Sequence, residues 1–299
     1  MSSIANILAV VQHKNEAPRV IDRARKLAQS LEHPVNIHAL RVVYESIADL
    51  STRQIDQSTE LKQAILKAEE SYLEDILDGV SITGNDIESA TIWNRRTWEG
   101  VLHTATVVNA DIIIKSATTQ GAKNTIIRTP DDWNLLRHTE IPVLMAGHAD
   151  WPTMQPVIAA VDVFDRSHDA LNQKILEISS ALNHCCKGGL HLVCVYPRLE
   201  PWLAHLSDVI SYETMRTEIE SDIHARMAQM SKQGHITDFT CHIADGPPVE
   251  AIEATLKQIG GGLLVIGTHA RAGLQAAILG NTAESVLHDV NSDVVAVPC

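Results

Sequence analysis

The run Ile7-Leu8-Ala9-Val10-Val11 returns 150 residues later as Val157-Ile158-Ala159-Ala160-Val161. Working outward, Ile37-His38-Ala39-Leu40-Arg41-Val42-Val43-Tyr44 is echoed by Leu190-His191-Leu192-Val193-Cys194-Val195-Tyr196, with the histidines 153 apart. Ile112-Ile113-Ile114 matches Leu264-Val265-Ile266, and Val143-Leu144 matches Val295-Ala296, both at an offset of 152. Four apolar elements in one order at nearly one offset mark an internal repeat. Between them lie longer polar segments of helical period, which is the pattern of βα units around a parallel sheet.

Each half is therefore expected to read as strand and helix in alternation, closing on a fifth strand. Helices are expected near 17–31, 46–77, 98–108 and 131–137, and again near 167–183, 204–232, 249–258 and 281–287. The polar segment His148-Ala149-Asp150-Trp151-Pro152-Thr153 is the expected linker. This gives an N-terminal domain over residues 1–147 and a C-terminal domain over 154–299.

Composition narrows the function. The chain of 299 residues carries 24 basic and 37 acidic side chains, a net charge of −13 that repels polyanions, so neither nucleic acid nor an anionic membrane is an expected partner. No apolar run approaches the roughly 20 residues that span a bilayer, and no signal peptide opens the chain, so a cytoplasmic location is expected. Five cysteines, all in the second half, do not form a disulfide framework. Fifteen histidines are dispersed without HExxH or C-x-x-C spacing, and His184-Cys185-Cys186 sits at an expected helix end. No metal site is expected. Of the five tryptophans, Trp133 and Trp151 are candidates for packing the halves together, and Trp93, Trp98 and Trp202 for lining a pocket; core filling is the simpler role for each.

In a doubly wound sheet, ligands bind beyond the carboxyl ends of the strands where strand order reverses. In the second half that means Asp162 after strand 1, and Gly267-Thr268-His269-Ala270-Arg271-Ala272-Gly273 with Gly280-Asn281-Thr282 after strand 4. A glycine-containing loop leading into a helix N-terminus can cradle a phosphate on backbone amides, with His269 and Arg271 as further cationic contacts. The plainer alternative is also open. Gly267 and Gly280 can be turn residues, Asp162 a turn acid, and Asn281 with Glu284 an N-cap and capping box.

The stretch from Leu264 to Leu274, continued by Ile278-Leu279-Gly280-Asn281-Thr282-Ala283-Glu284, resembles the nucleotide-binding signature of the universal stress protein family. That signature runs Gly, two residues, Gly, nine residues, Gly, then Ser or Thr. Here Gly267, Ala270, Gly280 and Asn281 occupy those places, so the second glycine and the hydroxyl are replaced. Arg128-Thr129-Pro130-Asp131-Asp132-Trp133-Asn134-Leu135-Leu136-Arg137 is similar to the tandem E-type branch. The resemblance implies two Rossmann-like (adenine nucleotide alpha hydrolase-like) α/β domains, each a five-stranded parallel sheet flanked by helices. It implies that Asp162 faces ribose or adenine, that the backbone near Val195 meets the adenine edge, and that residues 267–282 hold the phosphates of ATP with its associated Mg. It also implies that the last strands, Pro142 to Met145 and Val294 to Val297, pair inside one chain as a pseudo-dimer, with further homodimerisation open.

The first half departs further. Gln12 stands for Asp162, Lys115 for Gly267, Thr118 for Ala270, and Arg128-Thr129 for Gly280-Asn281; five of the 15 glycines lie before the linker and ten after it. A degenerate first site is expected. The functional expectation is a stress-response binding and regulatory protein with an adenine-nucleotide site in its second half, and an enzyme is not expected. The alternatives are a slow ATPase at the same site, for which no Walker GxxxxGK[ST] is present, and a scaffold binding another molecule through the first half.

Overall fold

The computed structural model describes residues 4–46, 55–79, 87–116, 129–147, 150–198, 212–268, 280–290 and 292–299. The chain divides into two compact units, one running to Asp150 and the other from Trp151 to Cys299. The first contains β1 (Asn6–Val10), α1 (Ala17–Gln29), β2 (Asn36–Val43), α2 (Ile55–Asp78), β3 (Ile87–Trp93), α3 (Thr97–Val107), β4 (Ile112–Ser116), α4 (Pro130–His138) and β5 (Val143–Ala146). The second contains β6 (Gln155–Ala160), α5 (Asp169–Cys186), β7 (Lys187–Tyr196), α6 (Tyr212–Gln233), β8 (Thr240–Asp245), α7 (Pro248–Ile259), β9 (Leu263–Gly267), α8 (Asn281–Asp289) and β10 (Val294–Val297). The expected alternation is present in both. The expected starts of α2 and α6, near 46 and 204, fall in or beside segments outside the described residues, as does Trp202.

Each unit holds a five-stranded parallel sheet, in the orders β3-β2-β1-β4-β5 and β8-β7-β6-β9-β10. A parallel strand covered on both faces must be apolar at every position. Ile112 to Ile114 of β4, Val143 to Ala146 of β5, Leu263 to Val265 of β9 and Val294 to Val297 of β10 are each almost wholly buried. The edge strands β3 and β8 carry the more polar and more exposed sequences. Strand order reverses between β1 and β4 and between β6 and β9, which opens a crevice above the carboxyl ends of those strands.

Local chemistry explains several boundaries. Pro130 opens α4, where a missing N–H costs nothing, and Gly260 closes α7 at φ +92°. Pro156 lies within β6, flanked by β7 and β9, and cannot donate to either. The ladder accommodates it with a bulge: Gln155 pairs Lys187 and Val157 pairs Leu190, so two steps on β6 face three on β7. Gly188 and Gly189 fill the extra step, Gly189 at φ +96°. A Cβ on Gly188 would lie 2.2 Å from the carbonyl carbon of Gln155. Trp151, an expected linker residue, is buried in the second unit, where its indole N–H donates to the buried carboxylate of Asp293.

Gly188→Ala should destabilise the protein by about 1–3 kcal/mol, because the clash is with backbone that cannot swing aside. Urea unfolding followed by circular dichroism should show a lower midpoint at unchanged slope.

Candidate functional site

In the second unit the turn after β6 is built around Asp162. Asn172, buried in the first turns of α5, brackets its backbone: the Asp162 amide donates to Asn172 Oδ1 at 3.1 Å, and Asn172 Nδ2 donates to the Asp162 carbonyl at 2.6 Å. Arg226 of α6 donates to the next carbonyl, that of Val163, at 2.6 Å. The turn is therefore fixed from two helices. Asp162 Oδ1 accepts the Phe164 amide at 3.0 Å, and Oδ2 lies 3.0 Å from His168 Nδ1, while the carboxylate remains 49% exposed. An ionised carboxylate only accepts, so His168 carries its proton on Nδ1 in this contact. Asp162 is thus a turn acid, as the plainer sequence reading allowed, and is also open to solvent at the crevice.

Val195 lies one strand over. The ladder between β6 and β7 ends where the Val161 amide donates to the Val193 carbonyl at 3.0 Å. Peptide groups of a parallel strand alternate sides, so Val195 presents its own N–H and C=O toward the space past the end of β6. Beside it Cys194 is buried, and burial pushes its thiol up to about 11; Cys185 and Cys186 are likewise pushed up to about 11 and about 12. These thiols stay protonated at neutral pH and offer no nucleophile. Tyr196, at the end of β7, donates to Glu220 Oε1 of α6 at 3.1 Å and holds that helix over the strand.

Across the crevice β9 ends at Gly267. It packs closely, since a Cβ there would lie 2.5 Å from Leu171 Cδ2 of α5 and that side chain would have to shift. Thr268 turns its amide to the Val297 carbonyl at 2.9 Å and its hydroxyl to the same atom at 3.3 Å, so both of its donors are spent on the base of the loop. The Gly280 amide donates to the Thr268 carbonyl at 3.4 Å, closing the loop at its neck. His269, Ala270 and Arg271 lie outside the described residues.

The helix start differs from the capping box considered above. Gly280 is the N-cap of α8, and Asn281 is the first helical residue. Glycine has no side chain with which to cap, and from the first helical position the Asn281 side chain does not fold back onto the amides that an N-cap serves. Asn281 and Thr282 are exposed and Ala283 is buried. The first turn of α8 thus has no acceptor within the helix and no capping side chain from its own N-cap, which is the arrangement that receives anions.

In the first unit the same positions are filled from within. Thr129 caps α4, its hydroxyl accepting the Asp132 amide at 3.1 Å while Asp132 Oδ2 accepts the Thr129 amide at 3.3 Å. Lys115, whose place the register of β4 with β9 gives to Ile266 in the second unit and not to Gly267 as the sequence comparison had it, puts Nζ 2.6 Å from Asp132 Oδ1, with both side chains buried. At the other end Arg41 donates from Nη1 to the Gln12 carbonyl and from Nε to Glu69 Oε2 at 2.6 Å, with its guanidinium 4.7 Å from the centre of the Tyr72 ring. The start of α4 in the first unit is thus closed by its own side chains. Thr118 and Arg128 are outside the described residues.

With this geometry in hand, the comparisons place the chain. Residues 154–298 match the universal stress protein family. The second half of the chain is a domain of that family. The likeness runs through both halves: it is 29% identical over 300 residues to the universal stress protein E homolog of Haemophilus influenzae, covering 98% of this chain and 96% of that protein. It is 25% identical to universal stress protein E of Escherichia coli, covering 99% of this chain and 95% of that one. The crystal structure of a candidate universal stress protein from Pseudomonas aeruginosa superposes with a TM-score of 0.70 at 25% identity, covering 99% of this chain and 93% of that chain. Among the described residues no helix is long and apolar enough to cross a membrane, and no group of three or more metal-ligating side chains occurs.

Sequence reasoning did not single out Arg41 or His168. A signal existed for the first, since a charge inside the otherwise apolar strand Ile37 to Val43 must find a partner. Lys115→Met should cost about 3–5 kcal/mol by leaving Asp132 buried without its counterion. Lys115→Met combined with Asp132→Asn should recover most of that loss in thermal denaturation.

Proposed function

We propose that this universal stress protein binds one adenine nucleotide, ATP, in its second unit, and that it acts as a stress-response binding and regulatory protein. Asp162 and the Val195 peptide groups would meet the nucleoside, and the first turn of α8, at Gly280, Asn281 and Thr282, would receive the phosphates. Gly267 and Thr268 shape the neck of the loop rather than donate to the ligand, and His269, Ala270 and Arg271 supply the rest of it. Any Mg would arrive with the phosphates, since the proposal takes no metal ligand from the chain. The observation that carries this reading is the contrast between the halves. Where the first unit closes the helix start with Thr129, Asp132 and Lys115, the second has Gly280, Ala283 and Ile266 at those places and no capping side chain at its N-cap.

Native mass spectrometry of the full chain titrated with ATP tests the proposal. One nucleotide per chain is expected. Gly280→Val, which places a branched side chain at the start of α8, should weaken binding tenfold or more, about 1.4 kcal/mol. Absence of any adenine nucleotide at millimolar ATP, or binding unaltered by Gly280→Val, would overturn it.

A further inference from the structure

The second unit carries a pair of imidazoles that the nucleotide reading does not use. His191 of β7 is in register with Thr240 of β8, and Val193 with His242, so the two histidines lie diagonally across paired strands on one face of the sheet. His191 Nδ1 and His242 Nε2 are 2.9 Å apart while the ring centres are 5.2 Å apart, so the rings meet end to end in one N–H···N hydrogen bond. β8 is an edge strand, paired only with β7. The contact therefore adds a side-chain tie to the backbone ladder where the sheet has least support.

Little else on that face holds a charge. Tyr196 lies on the opposite face, where its hydroxyl reaches α6, and right-handed crossovers put α7, which packs on β7 and β8, on the histidine side. Ile158 of β6 stands beside His191, and Val193 and Ala244 flank His242. The charged side chains of the adjoining segments are Lys187, Asp238, Glu250, Glu253 and Lys257. Among the described residues none of them bonds to either ring, and Glu253 and Lys257 pair with each other at 3.7 Å. Both rings are partly buried, and burial lowers both pKa values from the ordinary 6.5, with His242 lowering that of His191 further.

The hydrogens decide how the contact responds to acid. With both rings neutral, one facing nitrogen donates and the other accepts, and the donating ring keeps a lone pair on its outer nitrogen. A first proton from solvent binds at that outer nitrogen and leaves the hydrogen bond in place. The lone pair that remains is the accepting one. A second proton binds there, ends the hydrogen bond and sets two imidazolium ions against each other. We propose that His191 and His242 form an acid-sensitive latch on the edge strand: up to one added proton leaves β8 tied to β7, and a second loosens it. Because folding lowers both pKa values, the folded protein binds fewer protons than the unfolded chain. The stabilisation is complete above about pH 6.5 and declines as the pH falls below it.

The first unit supplies the contrast. His38, 153 residues before His191, is in register with Glu88 of the edge strand β3, and its Nδ1 lies 3.1 Å from Glu88 Oε2. A carboxylate holds a charged imidazole as well as a neutral one, so β3 carries no such response.

Amide hydrogen exchange of the full chain, read by mass spectrometry and corrected for the intrinsic rate, tests this at about pH 7.5 and about pH 5. The wild-type protection of residues 240–245 should fall roughly tenfold in acid, while that of residues 87–93 holds. His191→Gln and His242→Gln, neutral at both pH values, should each abolish the fall. His242→Glu, which supplies an acid as Glu88 does, should abolish it as well. Circular dichroism checks that each variant folds at both pH values. Unaltered protection of β8 in the wild type, or a fall shared equally by β3, would overturn the proposal without recourse to any variant. So would a fall that survives both glutamine substitutions.

Discussion

The opening turn of an α-helix exposes amides that no residue of the helix can satisfy, and in a parallel α/β sheet these turns lie at the carboxyl ends of the strands. Something must accept them. In this protein the same sheet answers that demand in two ways. At α4 the acceptors are built in: the Thr129 hydroxyl and the Asp132 carboxylate close the turn, and Lys115 neutralises the acid they bring. At α8 the N-cap is a glycine and the strand before it ends in another, so the acceptor is left to come from elsewhere.

That single difference accounts for the division between the halves. A buried lysine and a buried aspartate are tolerable only together, and Lys115 with Asp132 closes the start of α4. Arg41 reaches from β2 over the end of β1 to the Gln12 carbonyl. In the second unit the equivalent strand position is Cys194, small and uncharged, and the turn above it is held by Asn172 and Arg226 instead.

Much of the fold was legible in the sequence because a parallel sheet needs uninterrupted apolar strands, and these recur at one offset. Helix limits agreed to within a few residues wherever a proline or glycine punctuates them, as at Pro130 and Gly260. The site was less legible. Asn281 followed by Glu284 has the composition of a capping box, yet the helix begins one residue earlier than that reading requires, and sequence alone cannot tell an N-cap from the first helical residue. Gly267 invites a phosphate reading, but it also packs against Leu171 of α5, a contact between residues almost 100 apart. Thr268 has a hydroxyl and an amide in the right place, both already committed to Val297. The Lys115–Asp132 pair was visible only as two residues; that one neutralises the other follows from the alignment of β4 with α4 in space.

The most direct test of this asymmetry is amide hydrogen exchange across the two helix starts, measured on the intact chain with and without ATP. The account predicts slower exchange at Asn281, Thr282 and Ala283 when ATP is present, with Asp131, Asp132 and Trp133 unaltered. Equal protection at both helices, or protection confined to α4, would contradict it.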